Sequence, residues 1–166
     1  MTDNNKNINA FTVLYDEIVD VIYTDCGIKK PFNQEIKDGN HFSNIHKIKA
    51  IWDTGATTSV ISKDVVKMLE LSPIGKIKMF HAFGCDTTMY YAVSIFLPNK
   101  VVFPALKVVE GILNDADILI GMDIISMGDF AITSSQGKTK FSFQIPSTHD
   151  TDFQKEINKC FNNKKL

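Results

Sequence analysis

Apolar residues fall in short bursts along this chain, not on long helical faces. "IHKIKAIW" (45–52) alternates apolar and polar positions, the period of a strand with one buried side. "TSVIS" (58–62), "KIKMFHAF" (76–83), "TTMYYAVSIFL" (87–97), "KVVFPALKVVE" (100–110) and "KFSFQI" (140–145) carry the same signature. "FTVLYDEIVDVIYTD" (11–25) is rich in Val, Ile and Tyr and is expected to break at Asp25-Cys26-Gly27. Gly84-Cys85-Asp86, Pro98-Asn99 and Ser135-Gln136-Gly137 are punctuators between strands, and 31–44 reads as a loop. Only "SKDVVKMLEL" (62–71) changes period. There Val65, Val66, Met68 and Leu69 share one side of a short helix, with Ser62 as N-cap and Asp64 in the first turn. Pro73 and Gly75 stop it. "ADILIGMDIISMGDFAIT" (116–133) is another apolar stretch. The pattern predicts a mainly β protein of roughly nine or ten strands with one or two short helices, a small closed barrel or sandwich.

Composition narrows the class without deciding it. The 166 residues form one domain by length, with 44% hydrophobic and 22% charged residues, the balance of a globular protein. A formal charge of −1 argues against nucleic acid or a charged membrane surface as partner. No apolar run reaches the length of a membrane span, and the polar "MTDNNKNINA" lacks the apolar core of a signal peptide. Cys26, Cys85 and Cys160 are too scattered for a disulfide framework or zinc site and read as free thiols of a cytoplasmic protein. The four histidines show no ligand spacing, so no metal is expected. The organisation read from these features is a disordered tail at 1–9, a single domain at 10–146 with an N-terminal strand extension, and a polar tail at 147–166. Phe153, Ile157 and Phe161 recur every four residues in that tail, the spacing of a terminal helix.

"IWDTGATTSVIS" (51–62) carries the chemistry. An apolar strand, Ala50-Ile51-Trp52, runs into Asp53, and a second, Val60-Ile61, leaves after small residues. An aspartate opening an ordinary turn accounts for most Asp-Thr-Gly tripeptides. Here Gly55 permits a tight turn and close approach of another chain, and the Thr54 hydroxyl is expected to bury against a backbone partner. With its flanks, the segment resembles the active-site loop of the aspartic proteases: a strand, Asp-Thr-Gly-Ala or Asp-Thr-Gly-Ser, then a strand. A second segment, "ILIGMDIISMGDFAI" (118–132), resembles the apolar run ending in glycine that lies beside that loop. Ile120-Gly121-Met122-Asp123 followed by Ile124-Ile125 is similar to the retropepsin-like, single-domain branch. The resemblance spans about residues 45–145.

The resemblance implies a retropepsin-like closed barrel, with Asp53 as catalytic carboxylate and Thr54, Gly55, Ala56 and Thr57 as its loop. Ile120 and Gly121 form the second loop, and Asp123 heads the short helix after it. It also implies a hairpin folding over the substrate, for which 78–92 is the candidate, with Phe83, Gly84 and Cys85 near its tip. Such proteases use two carboxylates sharing one proton, and this chain has one Asp-Thr-Gly. The second is expected from another copy, in a two-fold homodimer that hydrolyses polypeptides with no cofactor. Three departures stand out. Thr57 occupies a position that is often acidic in retroviral enzymes. Ala56 replaces a hydroxyl donor common in two-domain relatives. An N-terminal extension and a C-terminal tail are present, and residues 11–24 or 139–145 are candidates for the interleaved strands of a dimer. A retropepsin-fold peptide-binding or dimerisation module without turnover is the alternative, with an unrelated ligand-binding barrel as the third reading.

Overall fold

The computed structural model describes residues 8–32, 43–81 and 84–162. In chain order the elements are β1 (Asn9–Leu14), β2 (Tyr23–Lys29), β3 (His46–Trp52), β4 (Val60–Ser62), α1 (Lys63–Met68), β5 (Gly75–His81) and β6 (Gly84–Phe96). Then follow β7 (Val102–Gly111), β8 (Ile118–Ile120), α2 (Met122–Ile125), β9 (Asp129–Thr133), β10 (Lys140–Ile145) and α3 (Phe153–Asn162).

The larger sheet runs β2-β3-β8-β4-β7-β6, and β6 pairs back to β2, so these strands form a ring. β5 lies outside the ring, paired antiparallel with the first half of β6. Two of the contacts are parallel, β3 with β8 and β4 with β7. The ring encloses Ile28, Ile61, Val93, Ile95, Val108, Ile118 and Ile120, all fully buried. β-branched residues suit this interior, where each inward side chain packs between neighbours on a twisted sheet. α1 starts where Ser62 Oγ accepts a hydrogen bond from Val65 N at 3.2 Å, and Val65 and Leu69 turn inward.

A second sheet, β1-β10-β9, covers one flank. Its inner face presents Phe11, Phe141 and Phe143 to Trp52, with ring centroids 6.0, 4.9 and 5.0 Å from the indole. This aromatic cluster joins the two sheets directly below the Asp-Thr-Gly loop. α3 follows as an outlying helix with Phe153 and Ile157 exposed.

Three sequence expectations shift. The stretch 11–25 is not continuous, because the chain crosses from one sheet to the other between β1 and β2. Tyr15 pins that crossing: its hydroxyl donates to Tyr23 O at 2.7 Å and accepts from Tyr23 N at 3.0 Å. Asp25-Cys26-Gly27 does not end a strand but lies inside β2. A Cβ on Gly27 would sit 2.5 Å from Ile45 Cγ2, so glycine here serves close packing and not a turn. Gly84-Cys85-Asp86 already belongs to β6, with Cys85 opposite Phe80 and Asp86 opposite Met79. Residues 82 and 83, Phe83 among them, lie outside the described residues.

Candidate active site

Asp53 is placed by the centre of the ring. β3 delivers it beside β8, with Trp52 opposite Ile120, and its backbone N–H donates to Ile120 O at 3.0 Å. The chain then turns back on itself. Gly55 N donates to Asp53 Oδ1 at 2.8 Å, and Ala56 N donates to Asp53 O at 3.3 Å. An aspartate accepting from the residue two positions on is a local turn motif. It leaves Oδ2 without a described partner, and the side chain half-buried. Even an added Cβ on Gly55 would stand 3.1 Å from Asp53 Oδ1.

The two loops predicted to meet are brought together. Met122 N donates to Ala56 O at 2.8 Å. A Cβ on Gly121 would lie 2.9 Å from both Ala56 O and Thr58 C, so only glycine fits between the loops. Below them is a polar clamp that sequence reasoning missed. Ser59, fully buried, donates from Oγ to Asp123 Oδ1 at 2.7 Å and from its backbone N to Oδ2 at 2.9 Å. The same Oγ accepts from Gly121 N at 3.1 Å. Asp123 Oδ1 also accepts from Ile124 N at 3.0 Å, at the start of α2. The only sequence signal was a serine at an inward position of an apolar strand.

Thr54 differs from expectation. Its side chain is exposed and has no hydrogen-bond partner in its own chain among the described residues. Gly84 and Cys85 are exposed at the base of the β5–β6 turn, and Gly84 takes φ +137° with open space around it. That conformation favours glycine and explains the residue without invoking motion.

Clefts flank the loop on both sides. One, of about 460 Å³, lies beneath β5 and is lined by Ala56, Thr57, Val60, Ile77, Met79 and Val109. Its walls are mainly aliphatic, and Thr57 offers a neutral hydroxyl. The other, of about 270 Å³, contains Asp53 and Thr54 with Trp52, Phe130 and Ile132, and also Asp20. Asp20 was not singled out from sequence, since it lies far away along the chain in a stretch read as a strand. Trp52 N donates to Ile22 O at 3.1 Å, which draws the segment containing Asp20 to the loop.

Other carboxylates near in sequence are occupied elsewhere. Asp117 Oδ2 accepts from Lys49 N at 2.8 Å. Asp129 gathers Ser147 Oγ, Thr148 N at 2.7 Å, His149 N at 2.8 Å and Gln144 Nε2 at 3.0 Å. These donors, the Ser147 hydroxyl first, hold its carboxyl well below the ordinary carboxylate range. The result is a latch tying the chain after β10 to the start of β9. Among the thiols, burial pushes Cys26 up to about 11, with Asp25 adding to the rise and a hydrogen bond with Thr24 opposing it. Burial, then the hydrogen bond its hydroxyl donates to Glu110 at 2.8 Å, raises Tyr91 above the usual phenol range.

Comparison with known proteins bears on the fold. A retropepsin-like aspartic protease from Rickettsia conorii superposes with a TM-score of 0.51 at 15% identity, covering 83% of this chain and 95% of that one. An EIAV protease gives 0.45 at 17% identity, covering 64% and 86%, and the simian foamy virus protease gives 0.42 at 16%, covering 63% and 92%. No family model and no curated protein sequence matches the chain. The chain therefore has the retropepsin-like fold, read from its likeness to the Rickettsia structure.

Proposed function

We propose that the chain is an aspartic endopeptidase of the cytoplasm, active as a homodimer in which Asp53 of each copy supplies one carboxylate. The observation that carries the reading is the Asp53 loop itself. Its carboxylate is pinned through one oxygen by Gly55 N, its backbone is held by Ile120 O, and the loop is seated on Gly121 and the Ser59–Asp123 clamp. A group fixed in this way loses little freedom on meeting a reacting atom. The catalytic unit is residues 10–146, with 147–166 as an appendage.

In this reading two Asp53 carboxylates face each other across a two-fold axis and share one proton, since close like charges do not both ionise cheaply. The ionised member takes a proton from a water, which attacks the peptide carbonyl. The protonated member donates to the carbonyl oxygen. The two titrate as a pair, so the roles interchange. The polypeptide lies extended in the cleft under β5, with aliphatic side chains against Val60, Ile77, Met79 and Val109. The β5–β6 hairpin covers it and excludes water.

The test is Asp53→Asn. It keeps the shape of the loop and the acceptor for Gly55 N. Cleavage of a mixed peptide pool should fall about a hundred- to ten-thousand-fold, while the variant still folds and binds those peptides. Equal cleavage by wild type and variant would refute the assignment. Peptide binding with no turnover by wild type would favour the binding-module alternative.

A further inference from the structure

The two clefts beside the Asp53 loop differ in charge. Among the described residues, the cleft under β5 is lined by one charged residue, Lys78, and by no carboxylate. The cleft of about 270 Å³ that contains Asp53 is lined by a second acid, Asp20, and by no cation. Its other walls include Trp52, Ile125, Phe130 and Ile132. Phe130 is 42% and Ile132 52% exposed, so their apolar surface is open to an incoming chain.

Asp20 is held in place but engaged by nothing. The segment carrying it is pinned on both sides. Val19 N donates to Thr139 Oγ1 at 3.1 Å, and Ile22 O accepts from Trp52 N at 3.1 Å. Asp20 itself is exposed and makes no hydrogen bond or ion pair among the described residues. Lys138 pairs with Asp16 instead, and Lys49 lies over the Tyr23 ring. An aspartate that served the fold would have a partner of its own. A carboxylate on a pinned backbone loses little freedom when a cation arrives.

We infer that Asp20 selects substrates, and that the cleft it shares with Asp53 takes a basic side chain, lysine or arginine, of the polypeptide to be cut. The inference rests on the protease reading above and names the substrate class of that site. Lysine and arginine match both features of the cleft. Their stems cover apolar and aromatic walls while the charged head stays at a polar group. An acidic side chain would meet two carboxylates and no cation. In an extended chain successive side chains point to opposite sides, so a polypeptide crossing the loop presents residues to both clefts. The preferred sequence then carries an aliphatic residue, seated on Val60, Ile77, Met79 and Val109, close to a basic one. A two-fold dimer repeats both clefts, so the basic residue is accepted on either side of the cut bond.

The experiment uses three peptide pools, random except for one central position fixed as Lys, norleucine or Glu. Norleucine keeps the apolar stem and lacks the charge. Cleavage is followed by mass spectrometry for wild type, Asp20→Asn and Asp20→Lys, each checked for folding by circular dichroism. For cuts close to the fixed position, wild type should favour Lys over norleucine about threefold and over Glu about tenfold in kcat/KM, with high salt narrowing both ratios. Asp20→Asn should cut the Lys and norleucine pools alike, and Asp20→Lys should favour Glu. The same ranking in wild type and Asp20→Asn, or a preference of wild type for Glu, would overturn the inference. Binding of the same pools, fluorescently labelled, to Asp53→Asn separates this inference from the protease reading. Tighter binding of the Lys pool, lost on adding Asp20→Asn, with no cleavage by wild type, would keep the basic cleft and remove the protease reading. Binding without a charge preference, or neither binding nor cleavage of any pool, would overturn the basic cleft.

Discussion

Cutting the clamp beneath the candidate catalytic loop should cost more than removing an ordinary hydroxyl. In Ser59→Ala, Asp123 loses the hydrogen bond now made at 2.7 Å, and Gly121 N loses its acceptor at 3.1 Å. Ser59 is fully buried, so water does not readily replace either partner. A hydrogen bond to a charged group contributes about 1.5–3 kcal/mol, and a stranded buried donor costs about 1–3 kcal/mol. These overlap, since both describe one lost oxygen, so the expected loss is about 2–4 kcal/mol. Against a total stability of about 5–15 kcal/mol, that is a large fraction. Asp123→Ala removes the other end, including the acceptor for Ser59 N at 2.9 Å. The two changes share an interaction, so they should not add. The assay is urea unfolding of wild type, both single variants and the double variant, at one fixed protein concentration because assembly shifts apparent stability. With a slope of about 1–3 kcal/mol per molar urea, the midpoint of the serine variant should fall by about 0.7–4 M. The coupling from the cycle should be about 1.5–3 kcal/mol. Additivity within about 0.5 kcal/mol would refute the clamp.

Three further outcomes follow from particular residues. Ala56→Ser restores a hydroxyl donor beside the Asp53 loop. A bond that favours the ionised pair should move the acidic limb of kcat/KM to lower pH, and an unchanged limb or an upward shift would show that the hydroxyl does not govern the site. Asp129 is held below the ordinary carboxylate range, so its latch contributes stability above that range and loses it only as pH falls through the lowered value. Protection of the 147–152 amides against hydrogen exchange should therefore persist from about pH 8 to pH 5 and fall in Asp129→Asn; equal protection in the variant would exclude the latch. Alkylation at about pH 8 should label exposed Cys85 and spare Cys26, whose thiol is pushed up to about 11 by burial, and comparable labelling of the folded protein at both would contradict the burial.

Much of the fold was legible because its signals are local. Alternation in 45–52, the capped helix after Ser62 and the breaks at Pro98-Asn99 and Ser135-Gln136-Gly137 are written into neighbouring positions, and each appears close to where the pattern put it. The Asp-Thr-Gly loop was legible for the same reason. Its glycine and its aspartate meet within three residues, through Gly55 N and Asp53 Oδ1. The apolar run at 118–120 was likewise visible as a buried strand ending in glycine. What that glycine accommodates, the carbonyl of Ala56, is some sixty residues away and enters only when β8 lies beside β3.

The features that sequence left unread all join distant segments. Ser59 looked like one more small residue until β4 faced α2, and it becomes a clamp only because Asp123 arrives there. Asp20 and Asp53 lie on either side of β2 and β3 along the chain, and share a groove because Ile22 O receives Trp52 N. Asp25-Cys26-Gly27 has the composition of a turn, yet it is a strand, because its pairing with β3 and β6 outweighs a local preference worth about 1 kcal/mol per glycine. Residues 140–145 were read as a strand, but only the tertiary structure places that strand between β1 and β9 and leaves those two at the edges. Local pattern thus determined most of the strands and the loop on which Asp53 stands. Long-range pairing decided what holds that carboxylate and which surface is left uncovered beside it, because hydrogen-bond partners and packing contacts belong to pairs of segments and not to either one alone.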